Sequence, residues 1–239
     1  MKEIPDDQSA INFSLRSHQV KPKHALFDLA IFLSVMFLVR TIYIDSIGFF
    51  GNAMFRSIST VGVATALLYY RKQSWRDLGL TKPDNYWKML GVSVIILIGT
   101  VASIMIFEIF IRDLMTGGVE ETSDSSSRFS ELEGNISYFF SIIVFVWIES
   151  FLEELQDRGF SLNRFESLLS KVPIATILAV LIQAAIFGFR HSYDFSPRSI
   201  TTGIIGLVFG LVYVLSGRNL WPLIIAHIFL NTMSMVERI

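Results

Sequence analysis

The sequence predicts an all-α polytopic membrane protein, a transmembrane bundle of about seven to eight helices around a polar cavity. Three observations predict it. Of 239 residues, 52% are hydrophobic and only 17% charged, with a mean hydropathy of +0.52. A water-soluble domain does not hide that much apolar surface. Seven apolar stretches, at 25–44, 50–70, 86–111, 136–155, 172–191, 199–216 and 220–236, are long enough to span a hydrocarbon core of about 30 Å, some of them tilted. An eighth element follows if one stretch is split. Finally, several stretches carry ionisable groups: Glu149, Glu153 and Glu154 in the fourth, His191 in the fifth and His227 in the last. A charge at the centre of a membrane helix costs roughly 2.5–3.5 kcal/mol on insertion scales, so such groups require partners and mark a functional site.

Residues 1–23 are polar and lack the apolar core of a signal peptide, so they read as a cytoplasmic tail. Pro22, Pro173 and Pro222 stand at or just before helix starts, where a missing N–H is harmless. Arg40 and Arg56, in the first two stretches, are expected to pair or to snorkel. The loop 71–88 is basic, with Arg71, Lys72, Arg76, Lys82 and Lys88. The loop 112–135 is acidic, with Glu120, Glu121, Asp124, Glu131 and Glu133. Lysine and arginine bias places the basic loop in the cytoplasm. Seven spans then leave the N-terminus inside and the C-terminus outside, with the lysines and arginines split about 13 inside to 5 outside. Glu108 marks an interfacial helix end, and Trp75, Trp87 and Trp221 suit interface anchors. Residues 160–171 look amphipathic and suit the inner membrane face. Gly203, Gly206 and Gly210 suggest a close helix contact, and Gly217 ends the sixth stretch. Asn135-Ile136-Ser137 fits a glycosylation acceptor, but abuts a span. The resulting division is a tail at 1–23, N-terminal helices at 24–135 and a motif-bearing core at 136–239.

A net charge of −1 offers no argument for nucleic acid as a partner. There is no cysteine, which excludes disulfides, thiolate catalysis, cysteine–zinc sites and prenylation of the chain itself.

Three motifs carry the chemistry. In Glu153-Glu154-x-x-x-Arg158-Gly159, Glu154 and Arg158 are four apart, share a helix face and offset each other's charge. Glu153 projects about 100° away and is free to face a cavity as a general base. The bland reading is a helix end solvated at the headgroups. Phe187-x-x-x-His191 offers one imidazole, which orients a carboxylate or water, binds a metal, or simply satisfies a core contact. His227-x-x-x-Asn231 places two hydrogen-bonding groups one turn apart, suited to an oxygen gaining negative charge, or to gluing helices.

Taken in order, these motifs resemble the CPBP family: the CAAX protease and bacteriocin-processing, or Abi, proteins, including type II CAAX prenyl endopeptidases. The resemblance covers about residues 136–236. Trp75-Arg76-Asp77-Leu78-Gly79-Leu80 and Gly217-Arg218-Asn219-Leu220-Trp221-Pro222 are similar to elements of bacterial members. It implies an intramembrane endopeptidase, multi-pass in the cell's cytoplasmic membrane, with lipids and a membrane-associated peptide or protein as partners. It implies Glu153 as the base for water, His191 as its orienter, His227 and Asn231 as oxyanion donors, and Arg158 as the partner of Glu154. The chain departs from the family at Gln156 and Asp157, where apolar residues are usual. Asp157 is expected to press on Glu153 or to compete for Arg158. No cofactor is expected to be required, although Glu153, His191 and His227 are a possible zinc set, without His-Glu-x-x-His spacing. Two other classes stay open: a non-catalytic immunity or chaperone-like binding protein, and a proton-coupled transporter. The lack of an internal repeat weighs against the transporter.

Overall fold

A computed structural model describes residues 20–112, 114 and 132–239. Among the described residues there are helices and no strands. The helices are α1 (Pro22–Leu38), α2 (Gly48–Tyr70), α3 (Tyr86–Phe110), α4 (Ile136–Glu154), α5 (Asn163–Leu168), α6 (Ala175–Ser192), α7 (Pro197–Leu215) and α8 (Trp221–Val236). The tail at 1–19 and the acidic positions Glu120, Glu121, Asp124 and Glu131 lie outside the described residues.

Five helical segments are long and apolar enough to cross a membrane: Pro22–Thr41, Tyr86–Phe110, Ile136–Leu168, Ala175–Ser192 and Pro197–Leu215. The seven spans expected from the sequence include two more. One is α2, which buries Asn52, Ser57 and Thr60 among its apolar residues. The other is α8, at 16 residues too short. Both still pack in the bundle: α2 against α1 and α4, α8 against α3 and α4.

The fourth stretch departs most from expectation. It does not stop near residue 155, and 160–171 is no separate surface helix. The helix runs 33 residues, from Ile136 to Leu168. Over Leu155–Leu162 it widens into π turns, all eight residues of which are buried. π turns within α-helices tend to occur at functional sites. Asn163 satisfies the backbone there, its Nδ2 donating to the carbonyls of Arg158 at 3.1 Å and Gly159 at 2.7 Å. Asn135 caps the start of α4 by accepting from the Tyr138 N–H, a structural use of the acceptor triplet.

The bundle has two ends, each tied by named contacts. At one, Arg71 bonds Asp28 at 2.7 Å and Arg164 bonds the same carboxylate at 3.0 Å and Gln73 at 2.8 Å. The Leu78 carbonyl accepts from Tyr213, and the Gly79 carbonyl from the Leu220 N–H. Trp75 belongs to this lock and is no interface anchor: it packs in the core and donates to Thr65. Trp87 is 83% exposed. At the other end, Arg40 lies over the Tyr193 ring at 4.8 Å, Phe37 meets Tyr193 edge-on, and the Gly134 N–H bonds the Ile239 carbonyl. There Asp194 accepts from Ser196 at the start of α7, and these bonds hold its carboxyl below the usual range.

The glycines on α7 do what their spacing predicts. A Cβ on Gly206 would meet Ala184 Cα at 3.2 Å, and one on Gly210 would meet Val180 at 3.1 Å, so α6 and α7 pack closely.

Candidate active site

The π-turn segment aims the first motif inward. Arg158, with no exposed surface, donates from Nη1 to Glu154 Oε1 at 3.0 Å. Its guanidinium lies over the rings of Phe187, at 4.4 Å, and Phe209, at 5.0 Å. Desolvated cation–π contacts of this type contribute about 2 kcal/mol. The phenylalanine of the second motif thus seats the arginine of the first. Glu154 is sealed from the cavity; its Oε1 also meets His227 Nδ1 at 2.7 Å. A carboxylate only accepts, so the proton between them belongs to Nδ1. Glu154 fixes the orientation of His227, leaving Nε2 to face the cavity.

Glu153 turns the other way, as its offset predicts, and lines that cavity. His227 Nε2 stands 3.5 Å from Glu153 Oε2, and His191 Nε2 stands 3.6 Å from Oε1. His191 Nδ1 lies 2.6 Å from the Phe187 carbonyl, which fixes its proton on Nδ1. Two imidazoles, each tied by Nδ1, therefore present Nε2 to the two oxygens of one carboxylate. Asn231 lines the same cavity and donates to Ser150 Oγ at 3.0 Å. An amide carries two N–H bonds, so the second is available for a ligand. The structure thus gathers Glu153, His191, His227 and Asn231 on one cavity, and seats Glu154 and Arg158 behind it as supports.

Glu153 lies within the lengthened helix Ile136–Leu168, and His191 within α6, which ends one residue beyond it, so the two meet inside the bundle. The cavity has a volume of about 340 Å³. Further walls come from α1, the turn after it and α2, with Met36, Arg40, Phe49, Met54 and Arg56 among them.

Sequence reasoning missed Arg190. Its Nη2 reaches Asp157 at 2.6 Å and Glu153 at 3.3 Å. Asp157 therefore neither competes for Arg158 nor presses unopposed on Glu153. The signal was present: an aspartate and an arginine, each out of place in an apolar helix, each next to a motif. Glu149 also lines the cavity, one turn before Glu153, and accepts from Ser57 at 3.0 Å. Asp28, between Arg71 and Arg164, went unread as well.

As a zinc site the set fits poorly. Among the described residues, no three or more His, Asp or Glu side chains form a group that could hold a metal ion. The Arg190 guanidinium rests against Glu153 on the oxygen that faces His191. A divalent cation would have to displace that charge.

No curated protein and no solved structure matches the chain. Residues 135–233 match the model of the family described as type II CAAX prenyl endopeptidase Rce1-like, so the segment that supplies Glu153, His191, His227 and Asn231 is an Rce1-like domain, of a protease family.

Proposed function

We propose that the protein is an intramembrane endopeptidase in which Glu153 activates water against a peptide carbonyl. The observation that carries this reading is the convergence of His191 Nε2 and His227 Nε2 on Glu153, at 3.6 and 3.5 Å, beside Asn231 in one cavity. A water resting on this cluster gives one proton to Glu153 as its oxygen attacks the carbonyl carbon. His191 Nε2 accepts a hydrogen bond from the O–H that the water keeps, which orients the attacking lone pair. The carbonyl oxygen gains negative charge and takes an N–H from Asn231. With Nδ1–H spent on Glu154, a His227 ring that also carries a proton on Nε2 donates it to the same oxygen. Glu153 then returns its proton to the amide nitrogen as the C–N bond breaks, leaving an acid and an amine. Arg190, shared with Asp157, holds the carboxylate in place through these steps. No step uses a metal.

Glu153→Gln keeps the shape and removes the base. Purified in detergent, this variant should keep the melting temperature of the parent and cleave a membrane-peptide library about 10²–10⁴ times more slowly. Asn231→Ala should lose about 10²–10³ in rate. A strong chelator should leave the parent rate unchanged. Full activity in Glu153→Gln would remove the proposed base, and loss to the chelator would restore the metal.

A further inference from the structure

We propose that the substrate lies extended along α4, with peptide groups on either side of the scissile bond held by Glu149 and Gln156. This rests on the endopeptidase reading and adds to it a site for substrate backbone, built from residues that the chemistry of Glu153 leaves unused.

Glu149, Glu153 and Gln156 all line the cavity, and they stand at the i, i+4 and i+7 positions of one helix face. Glu149 Oε1 accepts from Ser57 at 3.0 Å, but Oε2 is buried and has no partner among the described residues. Gln156 is 1% exposed, and its Nε2 is buried without a partner as well. A buried donor or acceptor with no bond destabilises the chain that carries it, so such an atom calls for a use. Arg56 Nε and Arg190 Nε are cavity atoms of the same kind, but their guanidiniums are held through Nη2, by the Ile42 carbonyl at 3.4 Å and by Asp157 at 2.6 Å. Glu149 and Gln156 therefore offer an acceptor and a donor, one on each side of the base.

An unwound peptide needs that pair. Within a helix the backbone N–H and C=O groups are spent on one another, so a peptide bond opened to attack frees them, and away from water each must find a partner. The helix rise puts Glu149 about 6 Å to one side of Glu153 and Gln156 about 4–5 Å to the other. An extended chain advances about 3.3 Å per residue, so these side chains meet peptide groups about one to two residues from the bond that Glu153 attacks. The Glu149 carboxylate accepts from a backbone N–H, and the Gln156 amide donates to a backbone carbonyl. Contacts to backbone carry no side-chain preference, so this wall of the cavity selects an extended conformation rather than a sequence.

Gln156→Leu removes a donor that is unpaired in the resting protein, so it should melt at or above the parent temperature in detergent. With the best-cleaved peptide of the membrane-peptide library, its KM should rise about three- to tenfold, the weight of one neutral hydrogen bond, with kcat little changed. Glu149→Gln keeps an oxygen for Ser57 and turns the acceptor into a donor, and should raise KM about tenfold or more. Gln183, whose amide is also buried without partners but does not line the cavity, is the control: Gln183→Leu should leave KM unchanged. Esters placed singly along the peptide remove one N–H each. One position away from the scissile bond should weaken binding to the parent and have no effect in Glu149→Gln. An unchanged KM in Gln156→Leu or Glu149→Gln, an equal rise in Gln183→Leu, or no such ester position overturns the proposal. Should leucine unsettle the π turns, Gln156→Met takes its place. The same substitutions made in the Glu153→Gln protein are read by retention of the library on immobilised protein. Retention that they weaken, with no cleavage by the parent, keeps the backbone site and removes the endopeptidase reading. Retention that is absent, or that they leave unchanged, removes the site.

Discussion

At the scale of single residues, the informative group is the trio Glu153, Asp157 and Arg190. Two carboxylates one helical turn apart share one guanidinium, at 3.3 and 2.6 Å. Asp157 is 3% exposed and Arg190 12%, so neither charge is well solvated. Removing one partner of a buried ion pair strands the other and costs about 3–5 kcal/mol, while replacing both by apolar groups is often neutral. Asp157→Leu and Arg190→Leu should each lower stability by about that amount, and the double substitution by much less. Thermal unfolding in one detergent measures the cycle. Asp157→Leu should also slow cleavage, because the freed guanidinium turns wholly onto Glu153. Equal losses in the double and the sum of singles would show that the two do not interact. The six motif residues were legible from sequence because each is polar in apolar surroundings. The Arg190 contact was not, because it joins two helices 33 residues apart and only the folded register brings them together.

At the scale of elements, the crossing of α6 and α7 sets where His191 stands. Helix periodicity and the glycine spacing on α7 foretold the contact, but not that Gly188 on α6 is its tightest point. A Cβ there would fall 2.4 Å from the Ser199 carbonyl oxygen and 2.9 Å from Gly203 Cα. The backbones would have to part, and overpacking of this kind costs about 1–3 kcal/mol. His191 lies three residues further along α6, so the shift moves Nε2 away from Glu153. Gly188→Ala should therefore reduce cleavage more than stability. Gly203→Ala is the control, since its Cβ would meet nothing nearer than 3.6 Å. Unfolding temperature and cleavage rate, measured on both, separate a local fit from a global loss. The π turns of α4 were illegible for a different reason. Asn163 satisfies two backbone carbonyls of the widened turns, and nothing in the composition of 155–162 distinguishes them from an ordinary amphipathic helix.

At the scale of the whole molecule, the family match and the candidate cavity do not coincide. The match covers residues 135–233, yet α1 and α2 supply Met36, Arg40, Phe49, Met54 and Arg56 to the cavity wall. A helical bundle and the polar candidates of its C-terminal half were legible in the sequence; that the N-terminal helices line the same cavity was not, because they carry no such motif. Their attachment is electrostatic as well as apolar. Arg164 and Asp28, both without exposed side-chain surface, pair across 136 residues of chain, and Ser57 on α2 caps Glu149 on α4. The core is shared too, since Phe32, Met36, Ala64 and Leu68 form one cluster with Phe160. A fragment of residues 132–239 would expose that cluster and strand Arg164, at the 3–5 kcal/mol expected for a broken buried pair, a large part of the 5–15 kcal/mol that stabilises a domain. It should reach the membrane, because its helices are apolar, but run as aggregate on size exclusion and show no cleavage. Asp28→Ala in the full chain isolates the electrostatic part: it should lower the unfolding temperature while leaving the membrane-inserted fraction unchanged. A monodisperse, active fragment would mean that the matched segment is a complete enzyme and that α1 and α2 are accessories to it.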